Sequence, residues 1–303
     1  MISSKHATAA TTGILLVLVF VGIAIVAGRP ERQTKAEVAV TATSTASAKF
    51  IPPPSVAAML HNAVLHWSSE NYVNKTGGRD PYNGQGTTVD TWVQTNSTGA
   101  VVKLHAIIYD ASGQAIQEVL QDINYTTRVF GQAYAQLFPT PPPLRAPTSS
   151  QSAGPVATIT EDLLCQTGPG GLNLNQSADL VPPFADPAAP QAGYTLMRRS
   201  APAPAAPLTP TPAGFTPKNV FETSSTVDVY SKTTPLSYGQ KTDTVEIQPD
   251  GRIVQLEDAI VDGQGQTLSQ SRQVYGPLQV YRVDDTPPSA FILSSFGQEL
   301  CHE

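Results

Sequence analysis

The residues from Ala7 to Gly28 form an uncharged, largely apolar stretch that limits the fold and location of this chain more than any other feature. An α-helix rises about 1.5 Å per residue, so roughly 20 residues cross a hydrocarbon core about 30 Å thick. We therefore predict a transmembrane helix or signal anchor over residues 7–28, after a short head of residues 1–6. The alternative interpretation is a signal peptide cleaved near Gly28, although the apolar run is longer than the usual apolar region of about 7–15 residues.

Charges around this segment bear on its orientation. Lys5 precedes it, whereas Arg29, Arg32 and Lys35 follow it, and the positive-inside rule alone would keep the following residues in the cytoplasm. An N-terminal apolar segment with a six-residue head is typical of an export signal, and long domains translocate largely regardless of charge. We predict a single-pass membrane protein with an extracytoplasmic C-terminal domain.

The composition of the chain argues against nucleic acid as a partner. The net charge is -6, and Lys and Arg are scattered rather than collected in a basic stripe that could follow a phosphate backbone. Thr, Ser, Gln, Pro and Gly are plentiful, which favours an extracytoplasmic β-rich domain. The partner that the sequence itself predicts is the membrane.

The chain has two cysteines, Cys165 and Cys301. Their number and wide separation predict a single disulfide formed in an oxidising compartment. Two unpaired thiols are the alternative. The sequence has no CxxC motif, no Cys/His cluster and no cofactor motif, so it predicts neither a metal nor a cofactor.

A spacer and a helix follow the apolar segment. Residues 29–54 are rich in Thr, Ala, Ser and Pro and are predicted to be the spacer. From Ser55 to Trp67 apolar residues recur at helical spacing, which predicts a helix with one core-packing face. His61 and His66 lie within it and are predicted to be surface or packing residues.

Beyond Thr87 the period of the apolar residues changes to two, which is typical of β-strands. Turn residues at Asn96–Gly99 and Asp110–Gly113 divide this region. We predict a meander whose strands span approximately 87–95, 101–110, 114–122 and 124–131. With the preceding helix, this meander forms the segment 55–138.

Residues 139–217 interrupt the pattern, because 17 of the 27 prolines fall there. Proline donates no backbone hydrogen bond, so we predict an insert or linker that supplies neither strands nor a packed core. Cys165 lies within it and is predicted to attach it to the rest of the domain.

A second meander is predicted over residues 218–303, packing with 55–138 as one domain. An offset of 138 residues aligns Thr88–Trp92 with Thr226–Tyr230 and places Gly113 on Gly251. A true internal repeat and a chance similarity between two meanders both explain this alignment. The predicted fold class is mainly β, with a few helices and one antiparallel sheet.

The helix followed by long antiparallel strands, the turn from Asp250 to Val254 and the segment from Thr286 to Leu293 resemble the bacterial LolA-like and RseB-like proteins, which are lipoprotein carriers and sigma regulators. The resemblance covers residues 55–131 and 218–296, and the Pro-rich segment departs from it. It implies a half-barrel sheet with helices against its concave face and an apolar cavity for lipid or acyl chains. No binding residue of the family can be assigned here.

No motif predicts catalysis, since the sequence contains no GxSxG, HExxH, Walker or Rossmann pattern. Trp92 and Tyr230 occupy matched positions in the two meanders and are candidates for lining the cavity, with ordinary core packing as the alternative. We therefore predict a non-catalytic extracytoplasmic β-domain that binds a hydrophobic ligand or an envelope protein. The alternative is a structural or adhesive domain displayed at the surface.

Overall fold

The computed structural model describes residues 54–75, 86–131, 164–169, 171–172, 184–185 and 193–301. The predicted head, the predicted membrane segment at 7–28 and nearly all of the spacer lie outside these residues. Within the described ranges no helix is both long enough and apolar enough to cross a membrane.

The described part of the chain is mainly β, as the alternation predicted. The helices are α1 (Pro54–Met59) and α2 (Ser295–Cys301), with 3₁₀ turns at Val283–Asp285 and Pro288–Phe291. The strands are β1 (Ala63–Lys75), β2 (Thr87–Thr95), β3 (Val101–Tyr109), β4 (Ala115–Asp122), β5 (Tyr125–Phe130), β6 (Cys165–Pro169), β7 (Thr195–Pro202), β8 (Asn219–Phe221), β9 (Thr226–Leu236), β10 (Gly239–Ile247), β11 (Ile253–Asp262), β12 (Thr267–Tyr275) and β13 (Leu278–Arg282).

All these strands join one antiparallel sheet in the order β6-β5-β4-β3-β2-β1-β12-β11-β10-β9-β7, and β13 pairs with β1 and β8. The sheet is not closed, because β6 and β7 stand at its two ends. The long strand β1 lies at the centre. Its first half pairs with β13 and its second half with β12, so it joins the two meanders.

The two meanders have the same strand order. In the first, β2 to β5 follow one another across the sheet, and in the second β9 to β12 do so. The four strands predicted from the period-two pattern are present in the first meander with nearly the predicted bounds.

Side-chain oxygens shape the turns between strands. Asp110 Oδ1 accepts hydrogen bonds from the amides of Ser112 and Gln114 at 2.9 and 3.0 Å. The turn then passes through Gly113 at a φ of 82°, a conformation that glycine adopts without steric cost. Asn96 and Gly99 build the first turn in the same way. The predicted turns are therefore confirmed.

The helix predicted from Ser55 to Trp67 is wrong beyond its first turns. Helix α1 ends at Met59, Asn62 turns the chain at a φ of 47°, and Ala63 begins β1. Every residue from Ala63 to Ser69 is buried, because both faces of β1 are covered. A strand buried on both faces carries consecutive apolar residues, which produced the helix-like spacing.

The prediction that residues 139–217 supply no strands is also wrong. Strands β6 and β7 lie in this segment and form the two ends of the sheet. An end strand pairs on one side alone, so it accommodates Pro169 and Pro202, which occupy the last positions of β6 and β7.

Residues after β7 also pack on the sheet. The Ser68 amide donates to Thr209 Oγ1 at 3.0 Å, and Thr209 Oγ1 donates to the Pro277 carbonyl at 2.7 Å. The described end of the Pro-rich segment therefore crosses β1 and β13 instead of acting as a detached linker.

The two faces of the sheet differ in character. We call the side that carries Leu65, Trp67, Val93, Leu104 and Tyr275 the core face, because these residues belong to the largest apolar cluster. Val56 and Leu60, in and just after α1, pack on this cluster. We call the opposite side, which carries His66, Trp92, His105 and Glu118, the network face.

Cys165 and Cys301 form the predicted disulfide, with their Cα atoms 5.2 Å apart. The bond joins the first residue of β6 to the last residue of α2. It therefore attaches the C-terminal helix to one end strand of the sheet.

Candidate functional site

A group of polar residues interrupts the apolar surface of the core face. Asn71 of β1, Asp258 of β11, and Ser269, Ser271 and Gln273 of β12 form this group, which we call the polar patch. Ser271 lies opposite Asp258 on one side and opposite Val73 on the other, while Gln273 lies opposite Asn71. Because side chains two apart in a strand share a face, the register brings all five side chains to one side of the sheet.

Three oxygen atoms of the polar patch are buried without a hydrogen bond from any part of the chain the structure describes. They are Asn71 Oδ1, Asp258 Oδ2 and Ser269 Oγ. Asn71 and Asp258 are 7% and 5% exposed, so bulk water does not compensate for the missing bonds. Leaving a polar group buried and unpaired costs about 1–3 kcal/mol, and such groups are rare in folded proteins.

The Asp258 carboxyl is the titratable group of the patch. Burial raises its pKa, whereas the hydrogen bond from the Ser271 hydroxyl and the charge of Lys241 act in the opposite direction. Lys241 Nζ lies 2.6 Å from Asp243 Oδ1, and these two side chains are 31% and 24% exposed. They form the solvent-facing rim of the patch, with Asp258 behind them.

Apolar residues border the polar patch on the same face. Along β12 the core-facing positions change from Tyr275 through Gln273 to Ser271, and along β1 they change from Trp67 to Asn71. Leu256 precedes Asp258 by two residues in β11 and packs against both large apolar clusters. The core face is thus apolar over most of its area and polar at one end of its central strands.

The network face holds a first polar cluster around His66. His66 is 1% exposed and shares hydrogen bonds with Asp90 at 2.7 Å and Gln279 at 3.2 Å. Its ring stacks on Trp92 with centroids 3.7 Å apart, and Tyr281 donates to Gln279 at 2.6 Å. These partners therefore use both ring nitrogens of His66.

A second cluster on the network face centres on Glu118, which is fully buried. Its carboxylate binds His105 Nε2 at 2.7 Å and accepts hydrogen bonds from the amide and hydroxyl of Ser294, both at 2.7 Å. Burial alone would raise the pKa of Glu118, but these hydrogen bonds outweigh it and lower the pKa. Ser294 and His105 each bind the carboxylate rather than one another, so no nucleophile and base are paired here.

Trp92 and Tyr230, the predicted cavity residues, lie in different clusters. Trp92 packs on the network face with Val64 and Tyr281. Tyr230 packs on the core face with Val245. It lies in β9, the strand of the second meander that is farthest from β1. The matched sequence positions therefore do not bring the two rings together.

Sequence reasoning missed Asn71, Asp258 and Ser269. The sequence pattern that points to the patch is a pair of polar residues, Asp258 and Ser271, at core-facing positions of β11 and β12. Recognising it requires the register between the two strands, which is a property of the folded sheet.

Among the described residues no group of three or more His, Cys, Asp or Glu side chains is placed to hold a metal ion.

Comparisons with known proteins add little evidence on the function of this chain. No protein-family model and no curated protein matches the chain. Among solved structures, the chain is similar to a DUF1329 family protein from Desulfovibrio piger ATCC 29098, with 11% identity and a TM-score of 0.24 over 80% of this chain and 100% of that chain. A similarity at this level supports no conclusion about function.

Proposed function

We propose that this chain is a non-catalytic, membrane-anchored extracytoplasmic protein that binds an amphiphile, such as a lipid or acyl chain, on the core face of its sheet. The observation that carries the proposal is the group of three buried, unpaired oxygens of the polar patch, which borders the largest apolar cluster of the sheet. Functional sites are among the places where folded proteins retain such unfavourable groups. An amphiphile matches both parts, because its chain contacts apolar residues and its head group binds polar ones.

The location is supported by two features of the chain. The uncharged segment at 7–28 is long enough to be an anchor, and the Cys165–Cys301 bond is typical of an oxidising compartment. The resemblance to lipoprotein carriers agrees with lipid as the ligand.

A structural or display domain is the second candidate. The closed clusters around His66 and Glu118 favour it, because the described polar groups there are satisfied within the chain. Such a domain would hold no ligand on its core face.

Native mass spectrometry of the full-length protein, released from membranes with an amine-oxide detergent, distinguishes the two. We expect bound lipid with the unaltered chain and with Gln270→Trp, but not with Ser269→Trp. Ser269 and Gln270 are consecutive residues of β12 and lie on opposite faces of the sheet. The pair of variants therefore separates blockage of the site from a general loss of folding. Absence of lipid from all three, or equal lipid in both variants, would favour display.

A further inference from the structure

The buried histidine His105 has a hydrogen-bond acceptor at each of its two ring nitrogens. Its Nδ1 lies 2.9 Å from the Ala290 carbonyl oxygen, and its Nε2 lies 2.7 Å from Glu118 Oε1. A backbone carbonyl and an ionised carboxylate accept hydrogen bonds and do not donate them. A neutral imidazole has one N–H, so it would bond one of these oxygens and direct a lone pair at the other. The two contacts together therefore require a ring that is protonated on both nitrogens.

The other partners of Glu118 favour its ionised form. The amide and the hydroxyl of Ser294 donate to its two oxygens, both at 2.7 Å. Burial alone would raise the pKa of Glu118, but these bonds and the hydrogen bond with His105 outweigh it and lower the pKa. The proton between Glu118 and His105 therefore belongs to the ring, because hydrogen bonds from three donors stabilise the carboxylate.

His66 has the same arrangement, which the orientation of a glutamine fixes. Gln279 Nε2 donates to the Thr209 carbonyl oxygen at 3.0 Å and to Thr211 Oγ1 at 2.9 Å. The amide of Gln279 therefore directs its oxygen, an acceptor, at His66 Nδ1, 3.2 Å away. His66 Nε2 lies 2.7 Å from Asp90 Oδ1, so both nitrogens of this ring also face acceptors.

The two rings lie beneath the segments that cross the network face. His105 contacts Ala290 of the C-terminal segment directly, and His66 contacts Gln279, which holds Thr209 of the Pro-rich crossing. His66 and His105 are 1% and 4% exposed, so bulk water does not replace a lost donor. Loss of one ring proton would therefore leave a buried acceptor unpaired under each segment.

Few other charges act on these rings. The Pro-rich crossing, residues 203–217, and the residues 286–294 carry no ionisable side chain, and Asp284, Asp285 and Glu299 are exposed. On the described network face of β1–β4 and β13, acidic side chains outnumber Lys103, which favours positive rings. Besides Asp90 and Glu118, the ionisable residues of this face are Glu70 of β1, Lys103 and Tyr109 of β3, Asp122 of β4 and Tyr281 of β13.

We propose that His66 and His105 are both imidazolium ions in the folded protein at neutral pH, and that their second protons hold the Pro-rich crossing and the C-terminal segment on the network face. A fold that retains a proton loses stability as the pH rises past about 6.5, the ordinary pKa of histidine. The two segments therefore form a pH-sensitive cover, which is closed at neutral pH and opens as the pH rises.

The first test reads the protonation of the rings directly. Full-length protein labelled with ¹⁵N in its five histidines is placed in detergent micelles, and long-range ¹H–¹⁵N spectra distinguish protonated from unprotonated ring nitrogens. At pH 7.5 an ordinary histidine is protonated on both nitrogens about one tenth of the time. We expect both nitrogens of His66 and His105 to be protonated, and the exposed His61 to behave as an ordinary ring. An unprotonated nitrogen at His66 or His105 would overturn the proposal.

Matched variants show which group requires each proton. Glu118→Gln supplies an amide that can donate to His105 Nε2, so His105 should become neutral at pH 7.5 while His66 keeps both protons. Asp90→Asn should have the reverse effect, and each variant is the control for the other. Thermal unfolding verifies that each variant is folded. A ring that stays doubly protonated beside its own neutralised partner would overturn the assignment.

The second test measures whether the protons hold the cover. Amide hydrogen exchange of the unaltered chain is followed at pH 7 and pH 8 and corrected for the intrinsic effect of pH on exchange. We expect the corrected rates at residues 209–216 and 290–294 to rise about tenfold, because each opening releases one proton. Amides of β10 and β11, which pair far from both rings, should not change. Corrected rates in the two segments that do not depend on pH would overturn the proposal.

Discussion

At the scale of single residues, Asp258 is an unfavourable buried group of the polar patch. Its carboxyl is buried, one oxygen is unpaired, and its pKa is raised, so its ionised form is disfavoured in the folded protein. A group with a raised folded pKa weakens the fold as the pH rises from its unfolded value, ordinarily 3.8, through the folded value. Asp258 therefore lowers stability at neutral pH, as a residue retained for binding would.

We predict that Asp258→Asn raises the free energy of unfolding at pH 7 by about 1 kcal/mol, because it removes a buried charge. The gain should shrink as the pH falls and vanish well below pH 3.8, where the aspartate is protonated in both the folded and the unfolded state. Denaturant unfolding at several pH values measures it. A variant that is less stable than the unaltered chain at pH 7 would show that Asp258 supports the fold.

Glu118 has the opposite role. Its pKa is lowered, so its contribution to stability is complete above its ordinary value of 4.5 and is lost as the pH falls through the folded value. Glu118→Ala leaves His105 and Ser294 without their partner and should cost about 3 kcal/mol. Glu299→Ala, an exposed carboxylate in the neighbouring helix, is the control and should cost little. Equal unfolding free energies for the two variants would contradict the assigned role.

At the scale of elements, the C-terminal segment is attached twice. Ser294 binds Glu118 just before α2, and Cys301 binds Cys165 at its end. Gly297 lies between them, where an added Cβ would be 2.4 Å from Glu118 Oε2, so glycine is needed for this close approach. The two attachments hold separate parts of the same segment.

Cys301→Ser should therefore loosen α2 without releasing Ser294. We expect a loss of about 2–4 kcal/mol in the free energy of unfolding, together with faster amide exchange confined to residues 295–301. Exchange that spreads through β3 and β4 would show instead that the disulfide holds the whole network face. Reduction of the unaltered chain should reproduce the variant.

The elements also show how far sequence reasoning reaches. Strands β2 to β5 were predictable because one face alternates and because Asp110 and Gly113 set the turn locally. Strand β1 was mistaken for helix because it is buried on both faces. Strands β6 and β7 were missed because the tolerance of prolines such as Pro202 depends on a place at the end of the sheet. The sequence therefore predicts the turns and the alternating strands, whereas it does not predict the position that each strand takes in the sheet.

The candidate site was less predictable than the strands for the same reason. The predicted disulfide is confirmed, because pairing two cysteines in a chain that has two requires no knowledge of strand register. Asn71, Ser269 and Asp258 come from strands far apart in the chain, and their union depends on how β1, β12 and β11 pair. The choice of Trp92 and Tyr230 assumed that matched positions share a cavity, whereas these rings pack on opposite faces of the sheet.

At the scale of the whole molecule, β1 unites the two meanders into one sheet, and the core face runs across both. The helix α1 and the largest apolar cluster lie on this face, as does the polar patch. The opposite face is covered by the Pro-rich crossing and the C-terminal segment. The two faces are therefore held by different contacts, an apolar cluster on the core face and buried polar clusters on the network face.

The central claim is that an amphiphile lies on the core face. Photo-crosslinking tests it most directly, with a monoacylglycerol that carries a diazirine in its chain, added to membranes containing the full-length protein and followed by peptide mapping. We expect adducts on residues of β11 and β12 that border the polar patch, such as Leu256, and their loss in Ser269→Trp. Adducts restricted to residues 7–28 or to the network face would contradict it.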